Sequence, residues 1–201
     1  MSKNLIIIFT RNPELGKVKT RLAKTVGNES ALNIYKFLLN HTEQTIKNIE
    51  ADKAVYYSVK VRKNDIWSNS IYQKHLQKGN DLGVRMLNAF KDAFKNNYKK
   101  VIIVGSDLLD LKTKHIEEAF NKLEDNNVII GPAKDGGYYL LGMKILNSKI
   151  FKNKEWGTST VFQSTLNELQ NESVFLLKEL NDIDIYDDIK NIEELKLFVK
   201  K

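Results

Sequence analysis

The sequence has 201 residues, of which 42% are hydrophobic and 28% charged, an ordinary composition for a folded domain. It contains no cysteine, which excludes disulfides, thiolate nucleophiles and cysteine-ligated metals. The formal net charge is +7, but the basic residues do not form the stripe with interleaved aromatics that is typical of nucleic-acid binding. We therefore expect residues 1–201 to form one domain with no nucleic-acid partner.

The apolar run at residues 5–9 is far too short to cross a membrane, and no small-residue cleavage site follows it. We expect a cytoplasmic protein without membrane contact.

Short apolar runs alternate with amphipathic stretches, a pattern that predicts an α/β fold with a doubly wound sheet. A continuous apolar run at residues 101–104 predicts a central strand buried on both faces. The predicted strands are residues 4–10, 54–59, 100–105, 128–131, 138–143 and 174–177, with a short strand near the end of 67–77. The predicted helices are residues 28–49, 81–94, 113–123, 159–169 and 192–199.

Side chains that accept backbone hydrogen bonds mark two of the helix starts. Ser30 or Asn28 is expected to cap the first helix, and Asp81 the second. The second helix is predicted to bury one face, made of Val84, Leu87, Phe90 and Phe94.

The loop after the first strand, residues 11–21, reads RNPELGKVKTR. The end of a first strand is where α/β folds receive ligands, and glycine at position 16 would let the backbone approach one closely. Lys17, Lys19 and Arg21 offer cations to phosphate oxygens. The loop matches neither a Walker motif nor a GxGxxG motif, so phosphate binding and a merely solvated basic loop remain alternatives.

Asp107 follows the central strand in the run VIIVGSD at residues 101–107. A carboxylate at that edge of the sheet suits Mg²⁺ or Mn²⁺, the usual counterions of nucleotides. The alternative is that Asp107 caps a turn.

Asp135 lies in the Asp-Gly-Gly segment of residues 131–139, between two predicted strands. On its own this segment predicts a hairpin. The functional alternative is that Asp135 faces a substrate, which Gly136 and Gly137 allow the main chain to approach.

Asp182 and Asp184 belong to an acidic cluster that precedes the last predicted helix. Such clusters usually complement a helix dipole, but one of the two could return to the sheet edge as a metal ligand.

Taken together, these segments resemble a bacterial GT-A-fold glycosyltransferase-like family that is associated with radical SAM/selenodomain proteins and arsenosugar biosynthesis. The opening segment is also similar to that of phospholactate guanylyltransferases. The matching segments, in order, are residues 9–23, 77–86, 105–107, 131–142, 156–161 and 182–184.

The resemblance implies a three-layer α/β/α fold with a mostly parallel, mixed sheet and the nucleotide over its N-terminal half. It implies that the diphosphate is held by Arg11, Lys19 and Arg21. It also implies an Mg²⁺ or Mn²⁺ ion on Asp107, with Asp182 or Asp184 assisting.

The same resemblance implies that Asp135 and Arg85 face the transferred group or the acceptor, with Trp156 as a wall of that pocket. Asp135 could orient or deprotonate an acceptor hydroxyl. The chain departs from the family pattern at Leu108–Leu109 and Ile185–Tyr186, which changes the backbone beside two candidate ligands.

Three functions are therefore considered. The first is a metal-dependent glycosyltransferase that moves a sugar from a nucleotide sugar to a small hydroxyl acceptor. The second is a nucleotidyltransferase that joins a nucleoside monophosphate to a phosphorylated small molecule and releases pyrophosphate. The third is a nucleotide-binding protein without catalysis, which the departure after Asp107 suggests.

Overall fold

Seven strands form one mixed sheet in the computed structural model, which describes residues 3–199. The strands are β1 Asn4–Thr10, β2 Asp52–Tyr57, β3 Tyr72–Leu76, β4 Lys100–Val104, β5 Val128–Pro132, β6 Tyr138–Met143 and β7 Val174–Leu176. Their order in the sheet is β3-β2-β1-β4-β6-β5-β7. Strand β6 runs antiparallel to β4 and β5, and the other neighbours are parallel, so the predicted mostly parallel, mixed sheet is confirmed.

Helices cover both faces of this sheet, because alternate residues of the central strands point to opposite sides. The α-helices are α1 Thr20–Val26, α2 Asn28–Ile46, α3 Leu82–Lys95, α4 Thr113–Lys122, α5 Val161–Glu168 and α6 Glu193–Lys196, and Lys149–Phe151 and Tyr186–Asp188 form 3₁₀ turns. In β1, Ile6 and Ile8 pack against the helices of one face, α2 and α4, whereas Leu5 and Ile7 pack against α3 on the other face. The three predicted layers are thereby confirmed.

Strands β1 and β4 lie side by side in parallel, with Ile8 opposite Val104. Their carboxyl ends therefore meet at one edge of the sheet, and the loops that follow them become neighbours. A third apolar cluster packs Ile183 and Ile189 against Leu22 of α1 and Leu38 of α2. This cluster draws the C-terminal segment to the same edge.

The start of α3 was predicted correctly, and its buried face was predicted in part. Asp81 caps the helix by accepting a hydrogen bond from the backbone N–H of Val84 at 2.9 Å. Val84 is 37% exposed rather than buried. Phe90 is fully buried as predicted, and Leu87 and Phe94 are partly buried against the same cluster. The other buried residues of this helix, Gly83, Met86, Ala89 and Ala93, were not predicted.

Two further expectations about helix ends were wrong. Helix α2 is preceded by Gly27, with φ +82°, and neither Asn28 nor Ser30 acts as its cap. The last helix was predicted over residues 192–199 but is one turn, Glu193–Lys196, because only its Leu195 is buried. Helix α1 was not predicted, since its seven residues contain a single buried side chain, Leu22.

No helix within residues 3–199 combines the length and the apolar character needed to cross a membrane.

Candidate functional site

Lys19 is held in an unusual backbone conformation directly before α1. Its φ of +48° and ψ of +45° lie in the left-handed region, which costs a non-glycine residue about 1–2 kcal/mol. Gly16 in the same loop has φ +70°. Strained residues of this kind cluster at functional sites, and here the strain accompanies a buried cationic side chain.

The Lys19 ammonium lies between two carboxylates that are distant in sequence. It is 2.8 Å from Asp107 Oδ2 and 3.1 Å from Asp184 Oδ1, and the lysine side chain is only 4% exposed. Arg21 reaches the other oxygen of Asp184 at 3.3 Å. Burial lowers the pKa of Lys19, but the two carboxylates outweigh it and the net shift is upward. Lys19 is therefore a charged group at neutral pH.

The loop that carries Asp182 and Asp184 is shaped by Asp188. Asp188 Oδ2 accepts hydrogen bonds from the backbone N–H groups of Asp184 and Ile185, each at 2.8 Å, and its Oδ1 accepts one from Asn181 at 2.9 Å. Burial raises the pKa of Asp188, but these hydrogen bonds outweigh it, so the net shift is downward. Asp188 belongs to the same acidic cluster of the sequence, and this role was not predicted for it.

Asp182 is brought beside Asp135 by a strand-like contact between two segments. Leu180 forms a parallel bridge with Ala133, and the backbone N–H of Lys134 donates to the carbonyl of Leu180 at 3.1 Å. On the other side, the N–H of Ile183 donates to the carbonyl of Asp107 at 3.2 Å. The segment therefore runs between the loop after β4 and the Asp-Gly-Gly turn.

Oxygen Oδ1 of Asp182 is buried and has no hydrogen-bond partner among the described residues. Burial raises the pKa of Asp182 to about 8, with further contributions from Asp107 and Asp135. The crowded carboxylates of Asp107, Asp135, Asp182 and Asp184 face only two of the predicted cations, Lys19 and Arg21. The carboxyl groups of this cluster therefore outnumber the cationic side chains that pair with them.

Residues 3–199 contain no group of three or more histidine or carboxylate side chains already arranged around a metal. The carboxylate oxygens are nonetheless of the type that Mg²⁺ and Mn²⁺ prefer, and Mg²⁺ commonly uses one or two carboxylates together with substrate phosphates. The unpartnered oxygen of Asp182 and the excess of negative charge both fit such an ion.

A cavity of about 220 Å³ opens beside this cluster. Trp156 and Tyr138 form part of its wall, with ring centroids 6.4 Å apart at an angle of 90°. Asp135 and Asp182 also line it, and none of the described lining residues is lysine or arginine. Its remaining lining is mainly apolar and includes Phe9, Leu82, Met86, Ile103, Leu140 and Val161.

Gly83 explains how closely Trp156 packs on α3. A Cβ atom added at Gly83 would lie 2.5 Å from the indole ring. The absence of a side chain there sets the position of the Trp156 ring and, with it, the width of the cavity.

Asp135 organises the turn between β5 and β6, which confirms the hairpin. Its Oδ1 accepts a hydrogen bond from the backbone N–H of Gly137 at 2.8 Å, and both residues line the cavity. Gly136 was expected to let the main chain approach a substrate, but it is not among the lining residues. It has φ +86°, and an added Cβ would lie 2.3 Å from the carbonyl oxygen of Ser159. Glycine is therefore required there by the neighbouring backbone.

The remaining predicted residues surround the end of β1. Arg85 donates from Nε to the carbonyl of Gly79 at 3.0 Å, and Gln77, which it also contacts, donates to the carbonyl of Thr10 at 3.3 Å. Arg11 and Lys17 are exposed. The structure thus brings together Lys19, Arg21, Asp107 and Asp184 in one cluster of ion pairs. Around the adjoining cavity lie Asp182, Asp135, Gly137 and Trp156. The predicted residues Arg85, Arg11 and Lys17 are in neither group.

Comparison with known proteins identifies relatives for most of the chain. Residues 41–158 match the model of a family described as "uncharacterized protein conserved in bacteria" (DUF2064). The 2-phospho-L-lactate guanylyltransferase of Methanocaldococcus jannaschii is 31% identical over 136 residues, which are 65% of this chain and 56% of that protein. The chain thus spans little more than half the length of the curated relatives it matches.

Solved structures share the fold. A Desulfovibrio desulfuricans G20 protein, provisionally named a nucleotide-diphospho-sugar transferase, is 32% identical with a TM-score of 0.84, over 96% of this chain and 90% of that one. A cytidylyltransferase from Leptospira borgpetersenii has a TM-score of 0.57 over 94% of this chain and 84% of its own, at 14% identity, and shows the fold alone. The predicted fold and the predicted relationship to transferases that use nucleotides are confirmed.

Proposed function

This chain belongs to the bacterial family DUF2064, and we propose that it transfers a sugar from a nucleotide-sugar donor to the hydroxyl group of a small acceptor. One observation carries the choice of acceptor. The cavity is walled by aromatic and apolar groups and is lined by the carboxyl groups of Asp135 and Asp182, without a lysine or arginine among its described lining residues. A phosphorylated acceptor would be repelled by Asp135, whereas a hydroxyl acceptor gains from a carboxylate that accepts its proton.

The cationic loop after β1 is the proposed site of the donor's diphosphate. Lys19 and Arg21 already lie at the carboxylate cluster, and Arg11, Gly16 and Lys17 belong to the same loop. Charge builds up on the diphosphate as it departs, and these cations would stabilise it more in the transition state than before reaction.

An Mg²⁺ or Mn²⁺ ion is part of this proposal. Asp107 would hold it, with Asp182 or Asp184 as a second ligand, and the unpartnered Asp182 oxygen supports that assignment. When bound, the ion would neutralise charge on the phosphate oxygens of the donor.

The acceptor would bind in the cavity, against Trp156 and the turn of Asp135 and Gly137. As its hydroxyl oxygen bonds to the sugar carbon, the bond from that carbon to the diphosphate oxygen breaks and its electron pair leaves with the nucleoside diphosphate. The hydroxyl proton passes to Asp135, whose second oxygen is not used by the Gly137 hydrogen bond. Arg85 would contact the transferred sugar from the edge of the site.

Nucleotidyl transfer is the second candidate, and the similarity to 2-phospho-L-lactate guanylyltransferase favours it. In that reaction an acceptor phosphate attacks the α-phosphorus of a triphosphate and pyrophosphate leaves. Lys19, Arg21 and Asp107 suit either leaving group, so they do not separate the two reactions.

The identity of the leaving group does separate them. Purified protein with Mg²⁺ or Mn²⁺ is incubated with nucleotide sugars in one series and nucleoside triphosphates in another, with pooled hydroxyl and phosphorylated acceptors. We expect nucleoside diphosphate from a nucleotide sugar, and its loss in Asp107→Ala. Pyrophosphate released from a triphosphate would establish the second candidate. A protein that binds nucleotide but turns over neither donor would be a binding protein without catalysis.

A further inference from the structure

Tyr35 of α2 joins the two loops that form the candidate nucleotide site. Its hydroxyl accepts a hydrogen bond from the backbone N–H of Arg11 at 2.9 Å, and it lies 3.2 Å from Thr10 Oγ1 and 3.4 Å from Ser106 Oγ. Ser106 in turn donates to Thr10 Oγ1 at 3.3 Å. Arg11 begins the cationic loop after β1, and Ser106 directly precedes Asp107.

This hydroxyl cluster is enclosed by the protein. Tyr35, Thr10 and Ser106 are 2%, 3% and 4% exposed. Burial raises the pKa of the Tyr35 hydroxyl, which therefore remains protonated and able both to donate and to accept. In a site closed to water, removing the hydroxyl would leave the N–H of Arg11 without this partner.

We propose that Tyr35 is a positioning residue that couples the phosphate-binding loop to the metal-binding Asp107, an inference that rests on the proposed nucleotide site. Because Tyr35 is enclosed by the protein, it would touch neither the phosphates nor the ion itself. Its hydroxyl holds the backbone at Arg11 in register with Ser106, so that the cations of one loop and the carboxylate of the other face the same phosphates. Ordering either loop by its ligand thereby favours the geometry that the other loop needs.

The sequence contains a matched control for a test of this inference. Tyr57 is also buried, at 1% exposure, and lies opposite Thr10 on the neighbouring strand, but its hydroxyl donates to Asp65 Oδ2 at 2.6 Å and joins neither Arg11 nor Ser106. Tyr35→Phe and Tyr57→Phe each remove one buried, hydrogen-bonded hydroxyl and keep the ring. Only the first is expected to affect the coupling between the two loops.

The probe is inorganic pyrophosphate, because it presents a diphosphate without requiring the nucleotide base to be known. Isothermal titration calorimetry measures its Kd with Mg²⁺ and with EDTA. For Tyr35→Phe we expect binding with Mg²⁺ to be roughly three- to tenfold weaker, the loss typical of a hydrogen bond. We also expect a smaller ratio of the Kd in EDTA to the Kd with Mg²⁺, because Mg²⁺ then improves binding less. Tyr57→Phe should keep both the Kd and the ratio of the wild type.

Ser106→Ala tests the same link from the side of Asp107, and it serves if Tyr35→Phe does not fold. For this variant we expect the same fall in the ratio of the pyrophosphate Kd in EDTA to the Kd with Mg²⁺. If either folded variant keeps the wild-type Kd and ratio, Tyr35 does not couple the loops, although the nucleotide site would stand. If the wild type itself binds no pyrophosphate with Mg²⁺, the proposed nucleotide site fails and this inference fails with it.

Discussion

The ammonium of Lys19 lies 2.8 Å from Asp107 Oδ2 and so links the loop after β1 to the loop after β4. The lysine is almost fully buried, whereas about a third of the Asp107 side chain is exposed. The pair thus presents a carboxylate to the solvent side of the site and keeps its counterion inside.

Lys19→Ala and Arg21→Ala are each expected to weaken Mg²⁺-dependent pyrophosphate binding by more than tenfold. Charge-assisted hydrogen bonds of this type contribute about 1.5–3 kcal/mol. Lys99→Ala is the control, because Lys99 is an exposed residue just before β4, at the opposite end of that strand from Asp107. Calorimetric titration gives the three affinities, and equal, small losses at all three positions would indicate a diffuse basic surface instead of a site.

Asp135→Asn is expected to lower kcat by about 100-fold or more while leaving the Kd of the donor within about twofold. General-base catalysis contributes roughly 10²–10⁴-fold, and asparagine can still accept the hydrogen bond from Gly137 that shapes the turn. Initial rates and donor titrations are measured on the same preparations. A variant with wild-type kcat would show that Asp135 does not accept the proton.

Asp182 is expected to make stability depend on pH. Its folded-state pKa of about 8 lies above the usual value of 3.8, so between these values the folded state binds more protons than the unfolded state. The free energy of unfolding therefore falls as pH rises from about 4 to 8, by at most about 1.4 kcal/mol per pH unit from this group.

Asp182→Asn removes this dependence. Its stability relative to the wild type is expected to increase with pH up to about 8 and then to level off. Urea unfolding in EDTA at a series of pH values measures the difference. A difference that stays constant from pH 4 to 8 would contradict the raised pKa.

Gly136→Ala is expected to destabilise the protein more than Gly157→Ala. Both glycines have φ +86°, so alanine at either position costs about 1–2 kcal/mol in backbone strain. Only at Gly136 would the new Cβ also meet the backbone of Ser159, at 2.3 Å, while nothing lies within 4 Å at Gly157. Overpacking adds about 1–3 kcal/mol, which urea unfolding resolves, and equal losses would mean that the Ser159 segment gives way freely.

Sequence patterns were sufficient for the elements that are defined by local residues. The apolar run of β4 identified a central strand, Asp81 identified the start of α3, and Asp-Gly-Gly identified the hairpin of β5 and β6. The motifs also indicated where the site lies, since Asp107 and Lys19 both follow strands whose carboxyl ends meet at one edge of the sheet. The buried face of α3 was predicted only in part, since Phe90 is buried but Val84 is exposed. One residue turns a helix by about 100°, so a neighbouring position can lie outside the buried face while the start of the helix remains the same.

The sequence by itself determined the alternation of strands and helices and the positions of the polar loops, because both depend on neighbouring residues and their spacing. Only the tertiary structure decided that Lys19 pairs with Asp184 and that Tyr35 joins the two loops. These contacts connect residues whose neighbours in sequence contain no sign of one another. They arise from the order of the strands in the sheet and from the packing of the C-terminal segment. Ile183 and Ile189 of that segment pack against α1 and α2, and this packing brings the C-terminal carboxylates to the same edge of the sheet.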